Sequence, residues 1–492
     1  MIKKLINKIK GVLYRMRIIK GIELQQKVDI PIDQSFYDNI AKWRCWYQGF
    51  YSEYHTIWYF VQGVKKQRNM MTMGMGKQVS QEMANMICNE KMEVSFDNEA
   101  VGNFVSPILE ANGFIKNTQD NAEFMMALGG MAAEIYKSDG DIKVSYVPAE
   151  SFIPLSWDVN KEIDQAIIVV EQKKVKDFNY TLIRWHEKQD TGYVVRNELY
   201  KASINDTSLG TPVDLAFLYP DLEEIVEFPK ATRPFFAYCK PAVANNVDTN
   251  VPLGISIFAN AIDTLKSIDR VFDSLEREFR IGGKRAIVPD AWLKGKTDVA
   301  TGTVTKYFDT DDEIFQGMRQ DENNQKYYDV SPELRVSEHI SALDAYLKTL
   351  STQTGFSAAT FGFDVTGLKT ATEVVSENSK TFRSKQSHEN NIEGFVANVV
   401  ESILLIADHF GINGYPTEEY EVTTTFDDSI INDKDARINQ QIALTGSGLQ
   451  SKKRAIMAAQ DVDETTAEEI LAEIEADEQR VTAEVVDMFG VE

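Results

Sequence analysis

The stretch TATEVVSENSKTFRSKQSHENN, Thr370 to Asn391, decides the fold because it predicts a long helix of an unusual kind. It contains neither Pro nor Gly, and Thr370 with Glu373 forms a capping box, in which each side chain satisfies a backbone donor at the other residue. Its last sixteen residues contain only one large apolar side chain, Phe382, yet the chain continues as the strongly apolar run IEGFVANVVESILLIADHF. We therefore predict a helix over 370–411 that is polar in its first half and apolar in its second.

The composition indicates a globular protein that does not grip nucleic acid over its whole surface. With 492 residues, 43% of them hydrophobic, the chain has room for about three domains. The formal charge of −23 and the pI near 4.8 oppose broad binding to nucleic acid, because such binding requires Lys and Arg to neutralise phosphates. Cys45, Cys88 and Cys239 are widely scattered, which argues against a disulfide framework or a metal cluster and favours a reducing cytoplasm.

The N-terminal segment MIKKLINKIKGVLYRMRIIKG is basic and amphipathic, with seven Lys and Arg residues. Lys8, Lys10, Arg15 and Arg17 interrupt the apolar region that a secretory signal needs. As a helix the segment suits a membrane surface or nucleic acid, but the simpler interpretation is a peripheral helix that docks on this chain or on an acidic neighbour. No run of about 20 uninterrupted apolar residues is present, so we predict that nothing spans a bilayer.

The first half of the chain predicts helices followed by an α+β region. Residues 33–90 are predicted to be helical, with crowded aromatic residues and apolar side chains at helical spacing. From 92 to 240, β-rich runs separated by Asp, Gly and Asn turn signals predict an antiparallel sheet, with one helix in NAEFMMALGGMAAEIYKS, residues 121–138. The fold class is therefore α+β.

Two long helices bracket a small, turn-rich insertion in the second half. The first is predicted to run uninterrupted from Ile255 to Ile281, with an apolar stripe on one side and mixed charges on the other. The second covers 336–355, and the residues between them contain three candidate strands. A Gly-dotted loop at 356–369, the strand EYEVTTTF and an acidic helical C-terminus complete the chain.

The sequence predicts no catalytic, metal or cofactor site. MGMGKQVS lacks the first Gly and the Ser or Thr of a phosphate loop, and neither His186-Glu187 nor His388-Glu389 is followed by the second His of a zinc helix. DTDDE, residues 309–313, lacks the Gly and the closing Glu of a calcium loop. No nucleophile elbow is present either.

The succession of these segments resembles the portal proteins of long-tailed, siphovirus-type bacteriophages. The resemblance lies in the order helix, β insertion, helix, glycine-dotted loop and long helix, with LKTATEVVSENSKTFRS at the last junction. MGKQVSQEMANMICNEK and ALGGMAAEIYKSDGDIKVSYVPAESFIPLSWD resemble the wing of that family, and the likeness covers roughly residues 30–430.

The resemblance implies a ring of twelve copies at one capsid vertex, assembled in the host cytoplasm. Double-stranded DNA would be packaged through its central channel and later ejected. The implied partners are the large terminase subunit, a head-tail adaptor, and the major capsid and scaffolding proteins, with no membrane and no cofactor. The acidic balance of the chain agrees with this role, because each Lys-phosphate contact adds affinity that stepwise movement of DNA has to break.

The resemblance also assigns roles to segments. It implies a wing (1–253), a first stem helix (254–281), a clip (282–335), a second stem helix (336–355), a tunnel loop (356–369), a long wing helix with a returning strand (370–428) and a helical crown (429–492). The tunnel residues facing DNA would be Asp364, Val365, Thr366, Gly367, Leu368 and Lys369; the channel face of the stem would be Asp269, Asp273, Glu276, Arg277 and Arg280. The clip residues that contact the motor or adaptor would be Trp292, Asp311, Asp312 and Glu313.

Under this interpretation the polar half of the 370–411 helix crosses the ring near the channel or against neighbouring subunits, where a helix without an apolar stripe is acceptable as a bridge. Gly394 is the candidate bend. Two alternatives stay open: another virion or membrane-surface scaffold anchored by the basic N-terminus, and an enzyme acting on DNA or cell wall.

Overall fold

The computed structural model describes residues 31–61, 64–88, 92–206, 208–282, 286–289, 295–297, 304–306, 316–318, 328–329, 333–363, 371–417, 419–426, 434–460, 462, 466–468 and 470–474. The chain divides into two compact units. One unit comprises Met1–Val365 with Ser379–Phe426, and the other comprises Thr366–Asn378 with Asp427–Glu492.

The N-terminal part is a helical layer interrupted by a β-hairpin. It contains α1 (Gln34–Tyr47), the short α2 (Ser52–His55), β1 (Thr56–Val61), β2 (Val64–Asn69) and α3 (Met75–Ile87). Asp33 caps α1 by accepting a hydrogen bond from the Ser35 backbone N–H at 2.7 Å. The prediction of helices throughout 33–90 is wrong for 56–69, because the β-branched and aromatic run TIWYFV pairs with VKKQRN as an antiparallel hairpin.

A second correction concerns residues 121–138. The structure has β3 (Glu93–Phe96), α4 (Glu99–Ala111), α5 (Phe114–Leu128) and then β4 (Met131–Ser138). MAAEIYKS is therefore a strand and not the end of a helix. Gly129 ends α5 with a φ of 89°, and a Cβ there would lie 2.6 Å from the Gly254 carbonyl oxygen. The glycine stops the helix where another backbone passes close by.

The predicted antiparallel sheet region is present as separate sheets. Its strands are β5 (Asp141–Pro148), β6 (Phe152–Trp157), β7 (Ile163–Val175), β8 (Phe178–Gln189), β9 (Gly192–Ser203), β10 (Thr211–Val213), β11 (Ile225–Phe228), β12 (Phe236–Cys239) and, near the C-terminal end of the same unit, β18 (Val422–Thr425). The largest sheet has the order β10-β9-β8-β7-β6, and β11 also pairs with β9. A three-stranded sheet has the order β12-β4-β5, and β3 pairs with β18.

A buried ionic cluster joins the two larger sheets. Glu134 Oε1 on β4 lies 2.8 Å from Arg184 Nη1 and 2.9 Å from His186 Nε2, both on β8. Burial alone would raise the pKa of Glu134, but the opposing charge of Arg184 and the contacts with His186 outweigh it and lower that pKa to about 2. Glu134 is therefore an ionised carboxylate inside the protein.

The two long helices of the second half are α6 (Ile262–Ile281) and α7 (Val336–Gln353). The second agrees with the prediction over 336–355. The first begins seven residues later than predicted, because residues 255–258 form an irregular buried segment below the end of α5, where the Ile257 N–H donates to the Met126 carbonyl at 2.9 Å. Between the helices lie β13 (Ala286–Pro289), β14 (Gly295–Thr297), β15 (Val304–Lys306), β16 (Gln316–Met318) and β17 (Tyr328–Asp329).

The long helix predicted over 370–411 is present as α8 (Ala371–His409) and continues through Gly394. Its second half enters the main hydrophobic core, where Phe395 stacks on Phe114 with ring centroids 6.4 Å apart. The capping box at Thr370 and Glu373 falls outside the residues whose side chains the structure describes. In the second unit, α9 (Lys434–Gly446) and α10 (Lys452–Gln460) pack together, and residues 466–468 and 470–474 are helical, as predicted for the C-terminus.

Candidate channel elements

The helices α6 and α7 form an antiparallel hairpin. Three side-chain pairs mark its length: Thr264 donates to Gln353 at 2.7 Å, His339 lies 3.1 Å from Ser274, and Arg335 binds Glu278 at 2.8 Å. The first and last pairs are fourteen residues apart on α6, which corresponds to about 21 Å. The hydrogen bonds from Arg335 hold the pKa of Glu278 at about 2, so this pair is ionised near neutral pH.

The apolar stripe of this hairpin is buried at one end and exposed at the other. Leu265, Ile268 and Leu350 are fully buried close to the core. Towards the far end the chain alone leaves large apolar side chains in contact with water; these are Phe279, Leu334 and Ile340. An exposed apolar surface at the end of a paired helix hairpin is typical of a contact surface for another protein.

Two of the predicted channel-facing residues are placed elsewhere. Asp269 and Asp273, predicted to face the channel, are each only 5% exposed, so within this chain neither carboxylate faces solvent. They lie four residues apart on one face of α6, against the segment that carries β1 and β2.

Asp269 receives two hydrogen bonds from this segment. The Met73 backbone N–H donates to one carboxylate oxygen at 2.8 Å, and His55 Nε2 lies 3.0 Å from the other. His55 Nδ1 accepts a hydrogen bond from the Tyr51 backbone N–H at 2.7 Å, so the ring carries its proton on Nε2 and donates it to Asp269.

Asp273 receives three hydrogen bonds. Arg68 donates two from its guanidinium, both at 2.6 Å, and the Met71 backbone N–H donates a third at 3.0 Å. The hydrogen bonds from Arg68 are the main reason that the pKa of Asp273 is lowered. The two carboxylates therefore fasten the β1-β2 hairpin to α6.

The other predicted channel residues lie nearer to solvent. Glu276 is half-buried, and Arg277 and Arg280 are exposed. Exposed charges at Asp263 and Arg270 precede Arg277 at intervals of seven residues, which places all three on one face of α6. The same interval also links Lys266, Asp273 and Arg280, so the spacing of charges alone does not separate the solvent face from the buried one.

The predicted tunnel residues Asp364 to Lys369 and the predicted clip residues Trp292, Asp311, Asp312 and Glu313 lie outside the described part of the chain. The last described residue of the predicted 356–369 loop is fixed to α7, because the Phe363 N–H donates to Asp344 at 2.9 Å. Asp344 also forms an ion pair with Lys348 at 2.6 Å. The start of the loop is therefore attached to the second helix of the hairpin.

The polar half of α8 binds the carboxyl end of α7. Lys380 Nζ donates to the Thr352 carbonyl at 2.6 Å, Ser384 donates to the Gly355 carbonyl at 2.7 Å, and Thr381 accepts from the Ser357 N–H at 2.8 Å. These bonds satisfy backbone groups that a helix end leaves without partners. The face of this stretch that carries Thr381 is buried inside its own chain, so at least this face is polar because of contacts within the chain.

One turn further along α8, His388 is buried against the loop after β12. Its Nδ1 accepts a hydrogen bond from the Ala242 N–H at 2.9 Å, and the neighbouring Asn391 donates to the Lys240 carbonyl at 3.0 Å. Burial lowers the pKa of His388 to about 4, so the ring is neutral near pH 7. Sequence reasoning considered this histidine only as a failed zinc motif.

The cysteines do not resemble catalytic nucleophiles. All three are free, and burial raises the pKa of Cys88 and of Cys239 to about 12, which keeps both as thiols. Within the ranges that the structure describes, no group of His, Cys, Asp or Glu is arranged to hold a metal ion. Among those same residues, no helix combines the length and the apolar character that a membrane span requires.

Comparison with known proteins gives one family. Residues 26–480 match the family described as phage portal protein, SPP1 Gp6-like. No curated protein is a significant match to the chain. The match covers nearly the whole sequence and agrees with the resemblance seen in its succession of segments. The chain belongs to the phage portal protein family.

Proposed function

We propose that this chain, a portal protein that serves in DNA packaging at the capsid vertex, closes into a ring of twelve copies around a channel for double-stranded DNA. The same channel would carry the genome out during ejection. The observation that carries the proposal is the α6-α7 hairpin, a paired rod with an uncovered apolar end. Copies of such a rod bury that surface when they stand side by side in a closed ring.

The charged strip of α6 is our candidate for the channel face of the stem. Asp263, Arg270 and Arg277 are exposed along one side, with Arg280 beyond them and Glu276 half-buried. The strip itself is slightly basic, with three arginines against Asp263 and Glu276, so in this proposal the net charge of −23 over the whole chain keeps the affinity for phosphates low enough for DNA to move. We place the tunnel loop at 356–369, with Lys369 as the residue that meets phosphate.

The segment between α6 and α7 is our candidate for the surface that contacts other components. It is carried at the far end of the rod, away from the core that holds Leu265 and Leu350. In this proposal it binds first the large terminase subunit and later the head-tail adaptor, with Trp292, Asp311, Asp312 and Glu313 as candidate contacts. Capsid and scaffolding proteins would surround the wing, and assembly would take place in the host cytoplasm before the ring enters the virion.

Microscopy and light scattering of the purified protein test the ring. Twelve copies of a 55.7 kDa chain give a particle of about 670 kDa with a central hole in negative-stain images. A monomer or dimer at micromolar concentration would contradict the proposal, and hydrolytic activity in that species would favour an enzyme. Flotation of the protein with liposomes would favour a membrane-surface scaffold instead.

DNA packaging by assembled particles tests the tunnel loop. Lys369→Ala, or a shortening of 363–368, should lower the amount of DNA packaged while rings still form. Lys174→Ala, at an exposed position on β7, is the matched control and should package normally. Loss of the ring in the Lys369 variant, or normal packaging by it, would contradict the assignment of the loop.

A further inference from the structure

The β1-β2 hairpin leaves an unusual amount of apolar surface in water. We call residues Thr56–Val61 and Val64–Asn69 the aromatic ribbon. Trp58 is 52% exposed, Phe60 is 72% exposed and Val64 is 60% exposed. A two-stranded hairpin is marginally stable in water unless another element covers one of its faces. Within the described chain, both faces of the outer part of the ribbon are open.

The ribbon is exposed although its base is firmly attached to α6. Arg68, at the base of the ribbon, donates two hydrogen bonds of 2.6 Å to Asp273, and His55, just before β1, contacts Asp269 at 3.0 Å. Both carboxylates are buried on α6. The ribbon is therefore held in a fixed position on the first helix of the rod, with its apolar end directed away from the core.

We propose that the aromatic ribbon docks on a neighbouring copy of this chain. The inference rests on the proposed ring and adds the element that joins its copies. In a ring each copy offers one surface to the next copy and a different surface to the previous one. The ribbon would be one of those two surfaces, and its partner would be an apolar and acidic face of the adjacent copy.

The distribution of charge favours a second copy of this chain as the partner of the ribbon. Besides Arg68, which is paired with Asp273, the strand β2 carries Lys65 and Lys66 and no acidic residue, whereas the whole chain has a net charge of −23. Lys65 lies over the ring of Trp58, 4.4 Å from its centroid, so the basic and aromatic groups form one surface. The exposed Phe60 and Val64 need an apolar partner, which a protein surface supplies and a phosphate backbone does not.

The length of the ribbon also favours a neighbouring copy as its partner. A strand of six residues spans about 20 Å, whereas packed helices lie 8–10 Å apart. A ribbon that starts on α6 can therefore extend beyond the nearest helix of an adjacent rod. Because Asp269 and Asp273 fix its base, docking of the ribbon would also set the spacing between rods.

Removal of the aromatic side chains tests the proposal. Trp58→Ser with Phe60→Ser should raise the protein concentration at half-assembly of rings about tenfold or more, measured by light scattering, while circular dichroism shows a folded chain. Val159→Ser is the control, because Val159 is 99% exposed in a turn of the same unit, outside the ribbon. This variant should assemble normally. Equal assembly of the double variant and the wild type would overturn the proposal.

Photo-crosslinking identifies the partner without loss of the ring. A benzophenone amino acid in place of Phe60 should give a covalent dimer of the chain on a denaturing gel after illumination of assembled rings. Crosslinks to DNA alone, or rings without covalent dimers, would contradict the proposal and leave the portal function intact. If the wild-type protein forms no rings under any condition tested, the proposed function itself fails.

Discussion

A pH-dependent loss of stability should arise from His388 on the polar half of α8. The ring is buried, its Nδ1 accepts the Ala242 N–H, and its folded-state pKa is about 4 instead of the usual 6.5. The unfolded chain binds a proton at this site more readily than the folded chain does. The stabilisation is therefore complete above pH 6.5 and declines as the pH falls from 6.5 towards 4.

The size of this loss follows from the two pKa values. Between pH 7.5 and pH 5.5, binding of a proton to His388 in the unfolded state removes about 1.3 kcal/mol from the free energy of unfolding. This range stays above the pI near 4.8, where a protein without net charge precipitates easily. Urea denaturation at both pH values, followed by circular dichroism, measures the difference.

His388→Asn isolates this contribution, because the Asn carbonyl oxygen can accept the same backbone hydrogen bond and does not titrate. The variant should lose about 1.3 kcal/mol less than the wild type between the two pH values. His339→Asn, on the half-exposed face of α7, serves as the control for removal of a histidine. Equal pH dependence in the wild type and His388→Asn would refute the assignment of a buried, neutral ring.

Three other experiments test the fold. Glu134→Gln leaves a buried arginine without its counter-charge, and thermal unfolding should show a loss of about 3–5 kcal/mol. Gly129→Ala should unfold at much lower urea concentration than Gly140→Ala, because both have a φ of 89° but only the first brings its Cβ against another backbone. In a double-mutant cycle by urea denaturation, Arg68→Met and Asp273→Asn should show a coupling energy of about 1–3 kcal/mol, and additive effects would contradict the attachment of the ribbon.

The long helices were the most predictable part of the fold. The apolar spacing along 336–355 and the capping box with continuous helix-formers from Thr370 are local signals, and the structure has helices at Val336–Gln353 and Ala371–His409. The start of α6 was predicted too early because Ile255 and Phe258 are apolar for another reason. They are buried below the end of α5, and this tertiary contact leaves no periodic signal in the sequence.

The errors at 56–69 and 131–138 have a common origin. Both segments follow helices and consist of residues whose spacing suits a helix or a strand. Pairing partners decided the outcome: β1 pairs with β2, and β4 lies between β12 and β5. The β-branched and aromatic content of TIWYFV and the Gly129-Gly130 pair before β4 were the available signals.

The candidate site was less predictable than the fold, because the presence of a charged residue on a helix does not reveal whether its side chain faces solvent or the interior of the protein. Asp269 and Asp273 look like solvent-facing acids in the sequence, yet they bind a segment about 200 positions earlier in the chain. The spacing of charges does not separate the exposed face from the buried one, because the series Lys266, Asp273 and Arg280 has the same interval of seven as Asp263, Arg270 and Arg277. Partners so distant along the chain cannot be read from local spacing.

The polar half of α8 is polar because of what it binds. The carboxyl end of α7 has backbone carbonyls without partners inside the helix, and an apolar neighbour would leave them unsatisfied and buried. Lys380 and Ser384 supply donors there, while Asp344 on α7 binds the Phe363 N–H within the first part of the proposed tunnel loop. The described start of that loop is attached to α7 at Phe363, so a shift of α7 within the rod would move this end of the loop with it.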